Sequence, residues 1–295
     1  WDFMIFKELG NTGLKVSEIG IGTEYLFRES KDTTIDVINQ AIKHEINYID
    51  ILFTVQNYLE KLATGIKGHR NQLVITGHLG TKDNNGRPQK TRDIEECKKS
   101  FLKMLSILEI DYVDILNIQF VTLKDLPKIF NTGGLFGLAL SFQKEGKAKF
   151  IGISTHNASI AIQAANSGKF DTIMFPISLA NHNLSGRDEL LTTCLKKRIG
   201  LIAIKPFAGG KLLMRNQTVY IAKYQTGGIK LKKKIPRDIT PIQCINYVNS
   251  LPSVSVVLTG VKSVEELNEN LKHLTQQEND QDFSSLIEFF KNDTN

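Results

Sequence analysis

The stretch "VITGHLG", residues 74–80, closes an apolar run on a histidine and then a glycine. The stretch "NYIDILF", residues 47–53, carries an aspartate after a similar run. Carboxylates and imidazoles move protons near neutral pH, and the imidazole does so most readily because its ordinary pKa lies near 6.5. If Asp50 and His78 lie within about 3.2 Å, or share one bridging water, they form an acid–base couple of the kind an isomerase or lyase uses. Gln119, at the end of "YVDILNIQ", can hydrogen-bond a carbonyl but cannot shuttle a proton. Ser154, Thr155, Ser178 and Lys205 close further apolar segments, and Gly260, Lys262 and Ser263 lead into a helical pattern, where a helix N-terminus is ready for an anion. Lys205, after the seventh apolar segment, is a cation able to meet an anionic group.

Elements that put all these residues on one rim are readable from the pattern. Eight segments rich in β-branched residues recur: 17–23, 47–53, 73–78, 112–119, 149–155, 172–178, 200–207 and 255–261. Most are continuous apolar runs, as expected of parallel strands covered on both faces. Amphipathic stretches separate them. "DTTIDVINQAIKHE" places Ile35, Val37, Ile38 and Ile42 near one face, "TRDIEECKKSFLKMLSILE" opens with a Thr N-cap and acids in its first turn, and "SVEELNENLKHL" offers Ser263 and Glu266 as a capping box. The alternation predicts an α/β fold, a (β/α)8 TIM barrel with an N-terminal β-hairpin around "GNTG" that plugs the barrel floor. An open doubly wound sheet is the alternative, and no G-x-G-x-x-G follows the first strand to support it. The expected organisation is one domain over residues 1–295, with the hairpin at 5–18, the barrel at 17–275 and a C-terminal helix at 280–292. In a barrel, chemistry belongs to the C-terminal ends of the strands and the loops after them.

Composition narrows the classes. The net charge of +6 and the runs "KLKKK" (230–234) and "TTCLKKR" (192–198) raise the question of nucleic acid. No aromatic residues interleave with the first run and no DNA-binding motif accompanies it, so it reads as a solvated loop, and an anionic cofactor accounts for the charge as well. Cys97, Cys194 and Cys244 are too scattered for a disulfide framework or metal pair, which makes a reducing cytoplasm the expected location. No apolar run is long enough for a membrane span. "WDF" precedes Met4, which leaves open whether Met4 is the natural start.

Six segments, in order, resemble the aldo-keto reductase family: "LGNTGLKVSEIGIGT", "INYIDIL", "LKMLSILEIDYVDILNIQ", "FQKEGKAKFIGIST", "GLIAIKPFAGGKL" and "TGVKSVEELNEN". The resemblance implies carbonyl reduction with NADPH, or its reverse, without metal. It also implies a tyrosine acid supported by a lysine, an aspartate and a histidine. Asp50 matches the aspartate, but Val55 stands at the tyrosine position, His78 at the lysine and Gln119 at the histidine. Valine cannot donate a proton. The "HLG" and the later Tyr58 resemble a subgroup whose members often continue into a cysteine-rich, ferredoxin-like tail. The 295 residues contain no ligands for such a cluster, and a redox role alongside an iron–sulfur partner on a separate chain belongs with the oxidoreductase expectation. In this reading Asp50, Tyr58 and His78 form a shifted triad. A protonated His78 beside Asp50 stands in for the lysine, since a neighbouring carboxylate favours the charged imidazole.

By the same resemblance the nucleotide is held at Ser154 and Thr155 by the nicotinamide, with Thr155 in place of the usual asparagine and Met174 in place of a glutamine. Lys262 and Ser263 match the residues that grip the adenosine 2′-phosphate. Glu266, Glu269 and Asn270 follow on the helix, Asn270 where an asparagine contacts adenine. The expected cofactor is therefore NADP(H) and the expected partner a small-molecule carbonyl. The alternative is a catalytically impaired, reductase-derived nucleotide-binding or regulatory protein. His156 and His182 sit in later loops, and the segment 120–137 is expected to cover the pocket.

Overall fold

The computed structural model describes residues 4–131, 133–220, 232–235, 238–274 and 282–291. "WDF", the first two residues of "KLKKK" and the outer ends of the expected C-terminal helix lie outside the described residues.

The chain opens with β1 (Phe6–Glu8) and β2 (Lys15–Ser17), paired antiparallel, then β3 (Ile19–Gly22), α1 (Lys31–Lys43), β4 (Tyr48–Asp50), α2 (Gln56–Ile66) and β5 (Val74–Leu79). A second hairpin, β6 (Thr81–Asn84) with β7 (Arg87–Lys90), precedes α3 (Ile94–Leu108) and β8 (Val113–Val121). Next come α4 (Leu126–Ile129), α5 (Leu135–Lys144), β9 (Ala148–Thr155), α6 (Ala158–Asn166), β10 (Thr172–Pro176), α7 (Arg187–Lys197) and β11 (Gly200–Ile204). The chain ends with a short pair, β12 (Thr218–Tyr220) and β13 (Lys232–Lys234), then α8 (Pro241–Asn249), β14 (Val254–Gly260), α9 (Val264–Leu271) and α10 (Ser284–Lys291).

Eight parallel strands close into a ring, in the order β3, β4, β5, β8, β9, β10, β11, β14 and back to β3. The fold is a (β/α)8 barrel, and each of the eight apolar segments contains one ring strand. Side chains alternate between the two faces of a strand, so Tyr48, Val74, Ile115, Met174, Ile202 and Val256 fill the interior together with Leu9 and Val16 from the first hairpin. The hairpin thus forms the floor. Gly10 takes a left-handed φ of +58°, and a Cβ there would come within 2.3 Å of the Gly200 nitrogen. Only glycine lets the turn press onto the start of β11.

Three details differ from expectation. The N-cap of α3 is Asp93, whose carboxylate accepts the Glu96 N–H at 2.8 Å, while Thr91 accepts the Asp93 N–H. Lys232–Lys234, expected in a loop, pairs with Thr218–Tyr220 as a strand. The hairpin of β6 and β7 was not anticipated from its polar sequence, although Asn85 and Gly86 both take positive φ, the geometry that an Asn-Gly pair marks.

Leu9 is fully buried. Leu9→Ala should cost about 2–4 kcal/mol through the cavity it leaves in the floor. Chemical denaturation measures this as a lowered midpoint with an unchanged slope.

Candidate active site

Asp50 ends β4 and pairs in register with Thr76 of β5, two residues before His78. Period-two alternation carries both side chains inward from Tyr48 and Val74. They meet there: His78 Nε2 lies 2.6 Å from Asp50 Oδ1, a short, charge-assisted distance, and both side chains are almost wholly buried. With Nε2 committed to the carboxylate, Nδ1 is the ring nitrogen left over. It is buried and has no hydrogen-bond partner among the described residues. A buried polar atom left without a partner costs about 1–3 kcal/mol.

Tyr58 is placed differently. It lies on α2 among Phe27 and Phe53, and its hydroxyl bonds the Thr23 hydroxyl and accepts the Leu52 N–H at 3.3 Å. Thr23 in turn donates to the Asp50 carbonyl at 2.6 Å. Tyr58 therefore buttresses the backbone at the end of β4, and its hydrogen bonds do not run to the Asp50 carboxylate or to His78. Burial pushes its phenol well above the ordinary range, with the Thr23 hydrogen bond acting the other way. Val55 is buried at the start of α2. It cannot cap that helix, and Asp83 of the second hairpin accepts the Gln56 N–H at 3.2 Å instead.

Gln119 is buried on β8, donating from Nε2 to the Thr81 hydroxyl at 2.9 Å and leaving Oε1 without a partner among the described residues. Above it sits a cluster that residue spacing did not reveal. Arg92 donates to the backbone carbonyls of Gln119 and Phe120, both at 2.9 Å, and to Asp125 at 3.0 Å. Lys90 reaches Asp125 at 3.1 Å, and Thr122 donates to the same carboxylate through its N–H and its hydroxyl. The glycine of "HLG" belongs to this cluster: Gly80 has φ +123°, and a Cβ there would stand 2.5 Å from the Arg92 guanidinium. Burial alone would raise the Asp125 carboxyl, but hydrogen bonds from Arg92 and Thr122 hold it well below the usual carboxylate range. The signal available in sequence was the Thr-x-x-Asp turn at 122–125.

The rest of the rim surrounds this centre. Ser154 is buried at the end of β9. Thr155 donates to the Val121 carbonyl at 2.9 Å and accepts the Asn157 N–H, building the turn into α6. Met174 fills the interior, and Ser178 starts a short 3₁₀ turn locked by Asn181. After β11, Lys205, Ala208, Gly209 and Gly210 all take positive φ, and nothing lies within 4 Å of a Cβ placed on either glycine. Gly209 and Gly210 thus form a short stretch of bare backbone after Lys205. Tyr25 lies over Gly260, and its segment is held from below by buried Lys61, which donates to the carbonyls of Leu26, Phe27 and Glu29. Asn270 is buried on α9. Lys262, Ser263 and Glu266 interlock at the head of that helix, with Glu266 Oε2 accepting the Lys262 N–H at 2.8 Å and Ser263 accepting the Glu266 N–H.

Other titratable groups stand apart from this centre. His182 bonds the Tyr247 hydroxyl at 2.7 Å, next to buried Arg187, and burial followed by the Arg187 charge lowers its pKa. The three cysteines are buried, with burial raising Cys97 to about 11 and Cys194 to about 12, so they are protonated and inert. Among the described residues no group of His, Cys, Asp and Glu could hold a metal ion, and no helix is long and apolar enough to cross a membrane.

A closed parallel barrel with a buried carboxylate–imidazole pair at the strand ends defines a TIM-barrel protein with its polar site where barrel enzymes carry theirs. The chain belongs to the aldo/keto reductase family, whose model matches residues 18–290. It is 24% identical over 298 residues to an uncharacterized oxidoreductase, YqkF, of Bacillus subtilis (strain 168), covering 92% of this chain and 93% of that one. It is 25% identical over 299 residues to an L-galactose dehydrogenase of Arabidopsis thaliana, covering 96% and 92%. Among solved structures, the holo form of aldo-keto reductase AKR11C1 from Bacillus halodurans superimposes with a TM-score of 0.76 at 17% identity, over 98% of this chain and 95% of that one.

Because the folded Asp125 carboxyl lies below its unfolded value, its stabilising effect is fully present above the ordinary carboxylate pKa near 4 and drains away as pH falls below it. Acid titration followed by circular dichroism should show Asp125→Asn less stable than wild type at neutral pH. The gap between the two should narrow progressively below about pH 4.

Proposed function

We propose that this chain is a nicotinamide-nucleotide-dependent oxidoreductase acting on a small carbonyl or alcohol, with the His78–Asp50 pair as its proton-transfer group. The observation that carries the reading is the 2.6 Å contact between His78 Nε2 and Asp50 Oδ1, which leaves Nδ1 buried and unpartnered. When bound, the nicotinamide supplies a hydride to the carbonyl carbon. The oxygen then gathers negative charge and needs a proton. A doubly protonated His78 gives the Nδ1 proton to that oxygen and keeps its Nε2 proton in the hydrogen bond donated to Asp50, so the carboxylate orients the ring. Running in reverse, neutral Nδ1 accepts the proton of an alcohol. Gln119 offers Oε1 to a second polar group of the substrate. Closure of the strands around the pair keeps water out, which strengthens each of these contacts.

Support for a nucleotide comes from family membership, from the bare backbone at Gly209 and Gly210 after Lys205, and from the polar rim at Ser154, Gly260, Lys262 and Ser263. The expectation of NADP(H) rests on the family resemblance and on Lys262 and Ser263, and the head of α9 carries more than these two.

Purified protein should consume reduced nicotinamide with some member of an aldehyde and ketone panel, measured by absorbance. His78→Gln and Asp50→Asn should each lower kcat by about 10²–10⁴, the usual worth of a positioned acid or base. Tyr58→Phe should lower Tm and reduce kcat by less than about tenfold, as loss of a buttress rather than of an acid. Turnover that survives His78→Gln and disappears in Tyr58→Phe would return the acid's role to Tyr58.

A further inference from the structure

If the chain binds a nicotinamide nucleotide as proposed, the family resemblance puts the adenosine ribose at the segment Gly260–Glu266, and the inference rests on that proposed function. The chemistry of this segment is not that of a phosphate cradle. Glu265 and Glu266 occupy the first turn of α9, and Glu269 stands further along the same helix. A capping-box acid ordinarily reaches back to the N-cap N–H. Glu266 reaches one residue further, its Oε2 accepting the Lys262 N–H at 2.8 Å, while its own N–H goes to the Ser263 hydroxyl at 3.3 Å. The Ser263 hydroxyl also lowers the pKa of the neighbouring Glu265 carboxyl. The positive end of the helix dipole is therefore already matched by the chain's own anions. Lys262, the one cation of the group, has Nζ 5.6 Å from the centroid of the Tyr25 ring, which lies over Gly260.

We propose that this chain discriminates at the adenosine ribose in favour of NADH over NADPH, and that Glu266 is the residue that decides it. A carboxylate at this place accepts a hydrogen bond from a free ribose 2′-hydroxyl. A 2′-phosphate, with up to two negative charges, would either displace Glu266 from the Lys262 N–H or sit beside it as a second anion. The logic is the one by which an acid reads the free hydroxyl in doubly wound dinucleotide folds, where an arginine reads the phosphate. The rejection is achieved by a repulsive group rather than by a missing attraction. It reverses the preference that Lys262 and Ser263 imply by themselves.

The test titrates the 295-residue chain with ADP-ribose and with its 2′-phosphate by calorimetry, which reads the ribose end without any hydride chemistry. Wild type should bind ADP-ribose more tightly by at least about tenfold. Glu266→Gln should bring the ratio toward one, and Glu266→Arg should invert it, the inverted preference fading as salt is raised. Equal or tighter binding of the 2′-phosphate by wild type overturns the proposal. So does a ratio unchanged in both variants when circular dichroism shows them folded. If neither ligand binds and NADH and NADPH fail as well, this proposal and the nucleotide-dependent reading fall together. Tenfold preference for ADP-ribose without turnover on any carbonyl upholds the discrimination and removes only the catalytic reading.

Discussion

A carboxylate inside a closed ring of strands has no water to face. Asp50 points into the barrel because strand alternation leaves it no other direction, and the cost of an unpaired charge there is several kcal/mol. The imidazole of His78, one strand over, is what makes that position tenable. Much else depends on holding this pair in place. Thr23 and Tyr58 fix the backbone at the end of β4, and Gly80 opens the path by which Arg92 ties down the ends of β5 and β8. The barrel floor, sealed by Leu9 and Val16, closes the other end.

The same constraint explains how a chain of this family carries valine where the resemblance puts its acid. A tyrosine–lysine arrangement spreads the acid and its charged support over two side chains. In the mechanism proposed above one imidazole uses both ring nitrogens, one for the aspartate and one for a reacting group. The change at Val55 and the change to His78 are then one substitution in chemical terms, and the aspartate persists because either arrangement needs an anion beneath it.

The ring was legible because parallel strands covered on both faces write themselves as unbroken apolar runs, and all eight segments hold a ring strand. The positions of Asp50, His78 and Gln119 at strand ends came with the fold. The pairing of His78 with Asp50 followed from the resemblance, whereas the partners of Gln119 and Tyr58 did not. Tyr58 is eight residues from Asp50, but the turn of α2 sends its ring into the Phe27 and Phe53 cluster and its hydroxyl to Thr23, a direction no spacing rule fixes. The "SVEE" pattern announced a capped helix, yet whether Glu266 would meet the Ser263 or the Lys262 N–H depended on a rotamer. The polar stretch "TKDNNGRPQK" hid a hairpin because neither of its faces is apolar, leaving Asn85-Gly86 as its only signal.

That hairpin has an architectural cost. It and the loop after β8 both hang from a single carboxylate, Asp125, through Lys90, Arg92 and Thr122. Two walls of the mouth thus share one hinge pin. A lengthened or repacked loop on either side drags the other with it, so a variant selected to admit a bulkier guest past one wall is expected to carry compensating changes in its neighbour.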